Sequence, residues 1–275
     1  MRIGVSLPVR EMAGDLTAIR DFAQAAEGLG LTHLRVPDQI IRPGNGHLHD
    51  PLSLLCYLAA VTTEIELVPS VIVLPLRPTA LIARQAAALD LLSNQRLRLG
   101  IGVGANKAEY KALGYDFHTR GQRCDEQLEL MHRLWTEETL SFKGEYESIE
   151  ESGINPRPER PIPIWIGARS VPSDAVVERM GRWASGWFVL ATPEEYPAVK
   201  SRVDEAAERA GRDPAEIGTE AGVAVVGARE GEWRERVANW HATGLTHLCL
   251  RTLGGDLPVA EHLPRLESVM QDLPV

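Results

Sequence analysis

The chain has 275 residues, 44% apolar and 24% charged, with a net charge of −9 at pH 7. That length allows one large domain or two small ones with a sizeable core, and the composition is that of a soluble globular protein. The acidic balance argues against nonspecific binding to nucleic acid or an anionic membrane, and no apolar run approaches membrane-spanning length.

Residues 1–5 run directly into a strand, so no N-terminal targeting signal is expected. Residues 2–7 read as a short buried strand ended by Pro8. Asp15 can cap a helix whose shared face is Leu16, Ile19, Phe22, Ala23 and Ala26, with Gly28 and Gly30 bracketing its end. Residues 32–36 form a second strand, ended by Pro37-Asp38-Gln39. The loop Arg42-Pro43-Gly44-Asn45-Gly46 is turn-rich. Pro51 opens a helix carrying Leu54, Leu55, Leu58 and Val61.

The segment 66–106 reads strand, helix, turn, strand. Pro78 fits a first helical turn, and Leu81, Ile82, Gln85, Ala86, Leu89 and Leu92 follow at helical spacing as one apolar stripe. Ser93-Asn94-Gln95 is a polar turn, and 97–101 is the next strand. So short a return makes a βαβ crossover with parallel strands. A helical turn at 109–113 and a helix at 120–135 follow. Residues 139–160 read as an insertion with a hairpin near 142–146 and a proline-rich tail, a segment suited to form part of a lid. Strands at 162–166, 186–189, 220–226 and 246–250 then alternate with helices at 174–180, 193–210, 232–242 and 259–270.

Eight alternating units, with no shift in composition along the chain, predict an α/β fold: a (β/α)8 TIM barrel, one domain over 1–275, with an insertion between strands four and five. The length is near the ~250 residues typical of that fold. An open doubly wound sheet is the competing architecture, but it does not require the count to reach eight. In either fold, sites form at the C-terminal ends of the strands.

Gly100, Gly102 and Gly104 with Ala105 loosely match a dinucleotide fingerprint. That motif needs a second strand with an acidic end about 20 residues on, and 120–135 is helical instead. A glycine-rich strand end still lets backbone approach a flat ligand. Gly167-Ala168-Arg169-Ser170 lies between a strand and a helix. It suits an anion, and equally an ordinary loop with a solvated arginine. His47-Leu48-His49-Asp50 has metal-ligand residue types, but a barrel hydrolase would carry its His-x-His on strand one. These are therefore read as loop histidines, and no metal is expected. Cys56, Cys124 and Cys249, odd in number and in apolar contexts, read as reduced core thiols of a cytoplasmic protein.

Several blocks together resemble the bacterial-luciferase-like family of flavin and deazaflavin oxidoreductases. They are 71–78 (VIVLPLRP), 83–93 (ARQAAALDLLS), 96–104 (RLRLGIGVG), 161–167 (PIPIWIG), 184–187 (ASGW) and 244–248 (GLTHL), with Gly30 and Val36-Pro37-Asp38. The pattern looks most like the coenzyme F420-dependent branch. The resemblance implies a TIM barrel, usually a homodimer, acting on a small-molecule substrate. It also implies a planar cofactor over the C-terminal mouth, F420 or alternatively FMN, backed by a non-proline cis peptide at Ser70–Val71. Asp38 would meet the polar edge of the ring, Gly104 and Asn106 the ring or its side chain, and Gly167, Ala168 and Arg169 the phosphate. Family members that oxidise a sugar phosphate carry a histidine after the strand-two aspartate and a glutamate after the strand-four glycines. This chain has Gln39 and Ala105, which disfavours that substrate. His49, Glu109 and His118 are the candidate proton donors. The expectation is an F420-dependent oxidoreductase, with an FMN-dependent monooxygenase or a non-catalytic flavin-binding relative as alternatives.

Overall fold

The computed structural model describes residues 1–41, 44 and 46–274; Arg42, Pro43 and Asn45 of the expected turn lie outside the described residues. In chain order come β1 (Arg2–Ser6), α1 (Leu16–Gly28), β2 (His33–Val36), α2 (Pro51–Val61), β3 (Glu66–Pro69) and β4 (Ile72–Val73). They are followed by α3 (Thr79–Leu92), β5 (Leu99–Gly102), α4 (Lys107–Ala112) and α5 (Arg120–Thr136). A hairpin, β6 (Leu140–Lys143) with β7 (Ser148–Ser152), precedes β8 (Ile164–Gly167), α6 (Asp174–Trp183) and β9 (Gly186–Val189). Then α7 (Tyr196–Arg209), β10 (Gly218–Ala224), α8 (Trp233–Ala242), β11 (His247–Arg251) and α9 (Val259–Gln271) complete the chain.

Outside the hairpin, the strands form a parallel sheet in the order β3-β2-β1-β11-β10-β9-β8-β5-β4. β3 and β4 are two halves of one stave, so the sheet has eight staves. It closes where Leu67 bridges Leu97: the Leu67 amide donates to the Arg96 carbonyl at 2.9 Å, and the Arg98 amide to the Leu67 carbonyl at 3.1 Å. The result is a TIM barrel. Its staves are short and covered on both faces, which is why they read as nearly continuous apolar runs.

Arg96 ties this closure to the helical ring. Its buried guanidinium donates to the carbonyls of Ala59, Thr62 and Ile65, and thus to the end of α2 and the start of β3. Side-chain caps set two helix starts. Asp15 accepts from the Thr17 and Ala18 amides at 3.0 Å, and Asp50 from the Ser53 amide at 2.9 Å. Asp15→Ala is expected to cost about 1 kcal/mol, seen as a lower urea midpoint at unchanged slope; an unmoved midpoint would refute the cap.

Three expectations are corrected. In α3, Leu81 and Leu92 are 52% and 73% exposed, and the buried face is Ile82, Ala83, Ala86, Ala87, Leu89 and Asp90. The alanines let the helix approach the barrel closely, rotating the two leucines outward. Leu16, the first residue of α1, is likewise 52% exposed. Cys56 is exposed while Cys124 and Cys249 are buried, all three as free thiols. Cys56 follows buried Leu55 by one position, about 100° around the helix. No described helix is long and apolar enough to cross a membrane.

The hairpin at 140–152 is confirmed, but no residue of 139–160 lines the cavity at the barrel mouth. It is pinned to the outer face of α5. The Glu126 carboxylate accepts the amides of Glu145, Tyr146 and Glu147, which occupies the donors a free loop tip would leave exposed.

Candidate functional site

The stave formed by β3 and β4 breaks at Ser70–Val71, and that peptide is cis. The Ser70 amide donates to the Val36 carbonyl at 2.7 Å. Its Oγ accepts from the Arg35 guanidinium, with Nε at 3.0 Å. Val71 is left as an apolar knob at the mouth. Its neighbouring strand tips make room by lacking a side chain. A Cβ on Gly102 or on Gly167 would each come within 2.8 Å of a Val71 methyl. Gly104 takes a φ of +66°, the left-handed region that favours glycine.

Over this knob lies a cavity of about 720 Å³, within the range of small-molecule and cofactor sites. Ser70, Val71, Ile101–Ala105, Ile166–Arg169 and Phe188 form its floor and near wall, while Phe117, Arg120 and Cys124 face them. The loop after Arg169 leads through Ser173 to α6. Ser173, which lines the cavity and precedes α6, makes no side-chain cap bond to the first α6 amides. Arg169 is exposed and makes no salt bridge among the described residues. The charged lining is Arg35, Arg120, Arg169 and Arg179, with no carboxylate and no histidine among the described residues. Arg179 is neutralised by Asp125 at 2.6 Å, and Arg120 lies over the Phe117 ring at 3.8 Å. Burial pushes the Cys124 thiol up to about 12, so it is neither a nucleophile nor a useful acid near neutral pH.

Six of the expected cofactor residues, Ser70, Val71, Gly104, Gly167, Ala168 and Arg169, therefore line one cavity. Asp38 and Asn106 do not. Asp38 Oδ2 accepts from the Val73 amide at 3.1 Å and from Arg77 at 2.8 Å, bracing the segment just after the cis bond. Asn106 caps α4 by accepting from the Ala108 amide at 3.0 Å. None of the candidate proton donors lines the cavity. Glu109 accepts the amides of Ile40 and Ile41, both at 3.1 Å. His49 lies against His47, with Nε2 atoms 3.3 Å apart, and His118 packs edgewise on Phe117.

Beneath the cavity, the barrel interior holds a charged cluster that the sequence reading did not assemble. Glu220 on β10 is fully buried. Arg35 reaches it from β2 at 2.8 Å, Arg98 from the residue just before β5 at 3.0 Å, and His33 from β2 at 3.4 Å. Burial drives the Glu220 carboxyl up, but His33, Arg35 and Arg98 outweigh that and hold it well below the ordinary range. His33 and His247 are pushed down by burial first and by Arg98 among their neighbours, His247 to about 3. The Arg98 guanidinium lies over the Trp165 ring at 4.3 Å. His33, Glu220 and Cys249 converge closely enough to suggest a metal site, but two guanidiniums already flank the carboxylate, and a cation there would meet their repulsion. A signal was present in the sequence: His33 and Arg35 alternate within a short apolar strand, so both point to the same face.

A family model described as luciferase-like monooxygenase matches residues 1–263. The chain is similar to an uncharacterized protein of Mycobacterium tuberculosis, 34% identical over 227 residues that cover 75% of this chain and 77% of that protein. It is also similar to an F420-dependent glucose-6-phosphate dehydrogenase of Amycolatopsis mediterranei, 32% identical over 206 residues, or 70% of this chain and 61% of that one. Among solved structures, the monooxygenase RslO1 from Streptomyces bottropensis matches with a TM-score of 0.84 at 21% identity, covering 99% of this chain and 98% of that chain. At that identity the likeness concerns the fold.

Proposed function

Starting from a chain that belongs to the luciferase-like monooxygenase family, we propose that its mouth cavity holds coenzyme F420 and that the protein moves a hydride between this deazaflavin and a small organic substrate. One observation carries the reading: Ser70, Val71, Gly104, Gly167, Ala168 and Arg169 share a single cavity whose charged lining, among the described residues, is made of guanidiniums. Such a lining suits a cofactor with an anionic tail. The relative named for F420-dependent dehydrogenation supports the same choice.

The residues present fit such a group. Gly102 and Gly167 leave Val71 standing as an apolar shelf for a flat ring. Arg35 fixes the Ser70 hydroxyl beside that shelf. Arg169 and the first turn of α6 are the partners for the phosphate end. Ile101, Ile166 and Phe188 keep water from the floor. When bound, the deazaflavin supplies the hydride chemistry, while the chain supplies orientation and dryness. With no carboxylate or histidine on the described cavity wall, a transferred proton would be exchanged with solvent or with the substrate's own acidic group. Asp38 and Asn106 act on this reading by bracing the strand-three tip and α4. A homodimer in the cytoplasm belongs to the same proposal.

The test is a binding titration of the purified chain with F420 and with FMN, followed by absorbance and fluorescence. Saturable one-to-one binding of F420, at least ten-fold tighter than FMN, is expected. The reverse order would favour an FMN-dependent monooxygenase, and binding of neither would end the proposal. Arg169→Ala is expected to weaken cofactor binding about ten-fold, the loss of one charge-assisted contact worth about 1.5 kcal/mol. An unchanged dissociation constant would remove Arg169 from the site.

A further inference from the structure

A second cavity of about 380 Å³ opens beside the first; Arg35, Phe188 and Leu190 line both, so the two are neighbours across a thin wall. Its other walls come from the end of β9 and the loop after it, from the middle of β10, from Arg251 at the end of β11 and from α8. The charged lining is Arg35, Arg229, Arg236 and Arg251 against Glu194 and Glu220. These charges do not cancel locally. Glu220 is already held by Arg35 and Arg98. Arg229 is paired with Glu232 at the exposed rim, and Glu194 is itself exposed.

Arg236 and Arg251 remain. Neither makes a hydrogen bond or a salt bridge among the described residues. Arg251 is part-buried, and its Nε, shielded from solvent, has no hydrogen-bond partner among the described residues. It crosses Gly222, where a Cβ would stand 3.3 Å from that nitrogen, so the missing side chain on β10 is what gives the guanidinium its place. Burial, followed by the Arg229 and Arg251 charges, pushes Arg236 down from its ordinary value, while Glu232 acts in the opposite sense. Asn239 on α8 adds a neutral amide to the same wall. Part-buried guanidiniums that no hydrogen bond or salt bridge satisfies are costly, and a planar or tetrahedral oxyanion satisfies them through paired N–H donors.

We propose that this second cavity binds the anionic end of the substrate, a carboxylate or phosphate oxyanion, through Arg236 and Arg251. The rest of the substrate then extends past Arg35 and Phe188 toward the first cavity. This names the substrate class, small organic acids or phosphate esters, and that part rests on the cofactor reading; the anion site itself does not.

The test is therefore run first without cofactor. Inorganic phosphate and malonate are titrated separately into the full chain at low ionic strength and followed by calorimetry. One saturable site per chain is expected for at least one of them, and the tighter of the two identifies the oxyanion. Arg236→Gln and Arg251→Gln should each weaken that binding at least ten-fold, and the double variant should abolish it. Arg236 lies on a helix surface, so its variant should fold as the parent does, which circular dichroism checks. The dissociation constant for F420 should stay within two-fold in Arg236→Gln. Absence of a saturable site in the parent chain, or an unaltered site in the double variant, overturns the proposal. A matching loss of cofactor affinity in Arg236→Gln overturns it as well, because the cavity would then hold the cofactor's tail.

Discussion

Glu220→Ala is expected to destabilise the barrel by roughly 3–5 kcal/mol, the cost of leaving buried cations without their counter-ion. At ~2–4 °C per kcal/mol for a chain of this size class, the melting temperature should fall by roughly 6–20 °C. The expectation follows from geometry: the carboxylate has no exposed area and lies 2.8 Å from Arg35 and 3.0 Å from Arg98. Glu66 meets Arg98 only at 3.5 Å, so it cannot neutralise both guanidiniums alone. Glu220→Gln keeps the shape and should lose less. A melting temperature within 2 °C of the parent in Glu220→Ala would show that the cluster contributes little.

The same cluster sets a pH dependence. The folded chain keeps Glu220 ionised well below the ordinary carboxylate range, so the unfolded chain takes up that proton first. Its stabilising contribution is complete above the unfolded value of about 4.3 and disappears as the pH falls through the folded one. His247 stays neutral in the fold down to about 3, whereas an unfolded histidine charges near ~6.5. Stability should therefore begin to drop below about pH 6.5, and more steeply below about pH 4.3. Melting temperatures recorded from pH 8 to pH 4 check this, and a flat profile would contradict it.

Gly102→Ala with Gly167→Ala is expected to weaken cofactor binding on the order of 30-fold while the chain still folds. Each added methyl would lie 2.8 Å from a different methyl of Val71. Val71 is β-branched and has few rotamers with which to yield. It must shift toward the cavity it floors. Overpacking of this kind costs ~1–3 kcal/mol, and ~2 kcal/mol is about 30-fold in a dissociation constant. Titration of F420 into the double variant reads the effect, and a constant within three-fold of the parent would mean that Val71 is not the shelf.

Local sequence was enough for the alternation of elements and for the strand tips where the cavity forms. Helical and strand periods are read from residues a few positions apart, and Pro, Gly and Asp mark the ends in the same short range. Asp15 and Asp50 cap helices as their positions suggest, and the tips carrying Ser70-Val71, Gly104 and Gly167-Ala168-Arg169 do converge. The polar loop residues were a different matter. Glu109 looked free to donate a proton, yet its carboxylate is taken by the Ile40 and Ile41 amides, some 68 residues earlier. The family resemblance sent Asp38 to the edge of a cofactor ring; its Oδ2 accepts from Val73 and Arg77.

The order of helices and strands, and the rim on which they end, were written in short-range pattern, because apolar period and turn chemistry act between neighbours in the chain. Only closure of the barrel decided which charges meet. Arg35 and Glu220 stand on separate strands, 185 residues apart, and Arg98 immediately precedes a third, so nothing near any of them in the chain announces the meeting. Coulomb energy depends on distance in space and on the water excluded between the groups, and neither quantity exists until the sheet has curled and Leu67 has found Leu97.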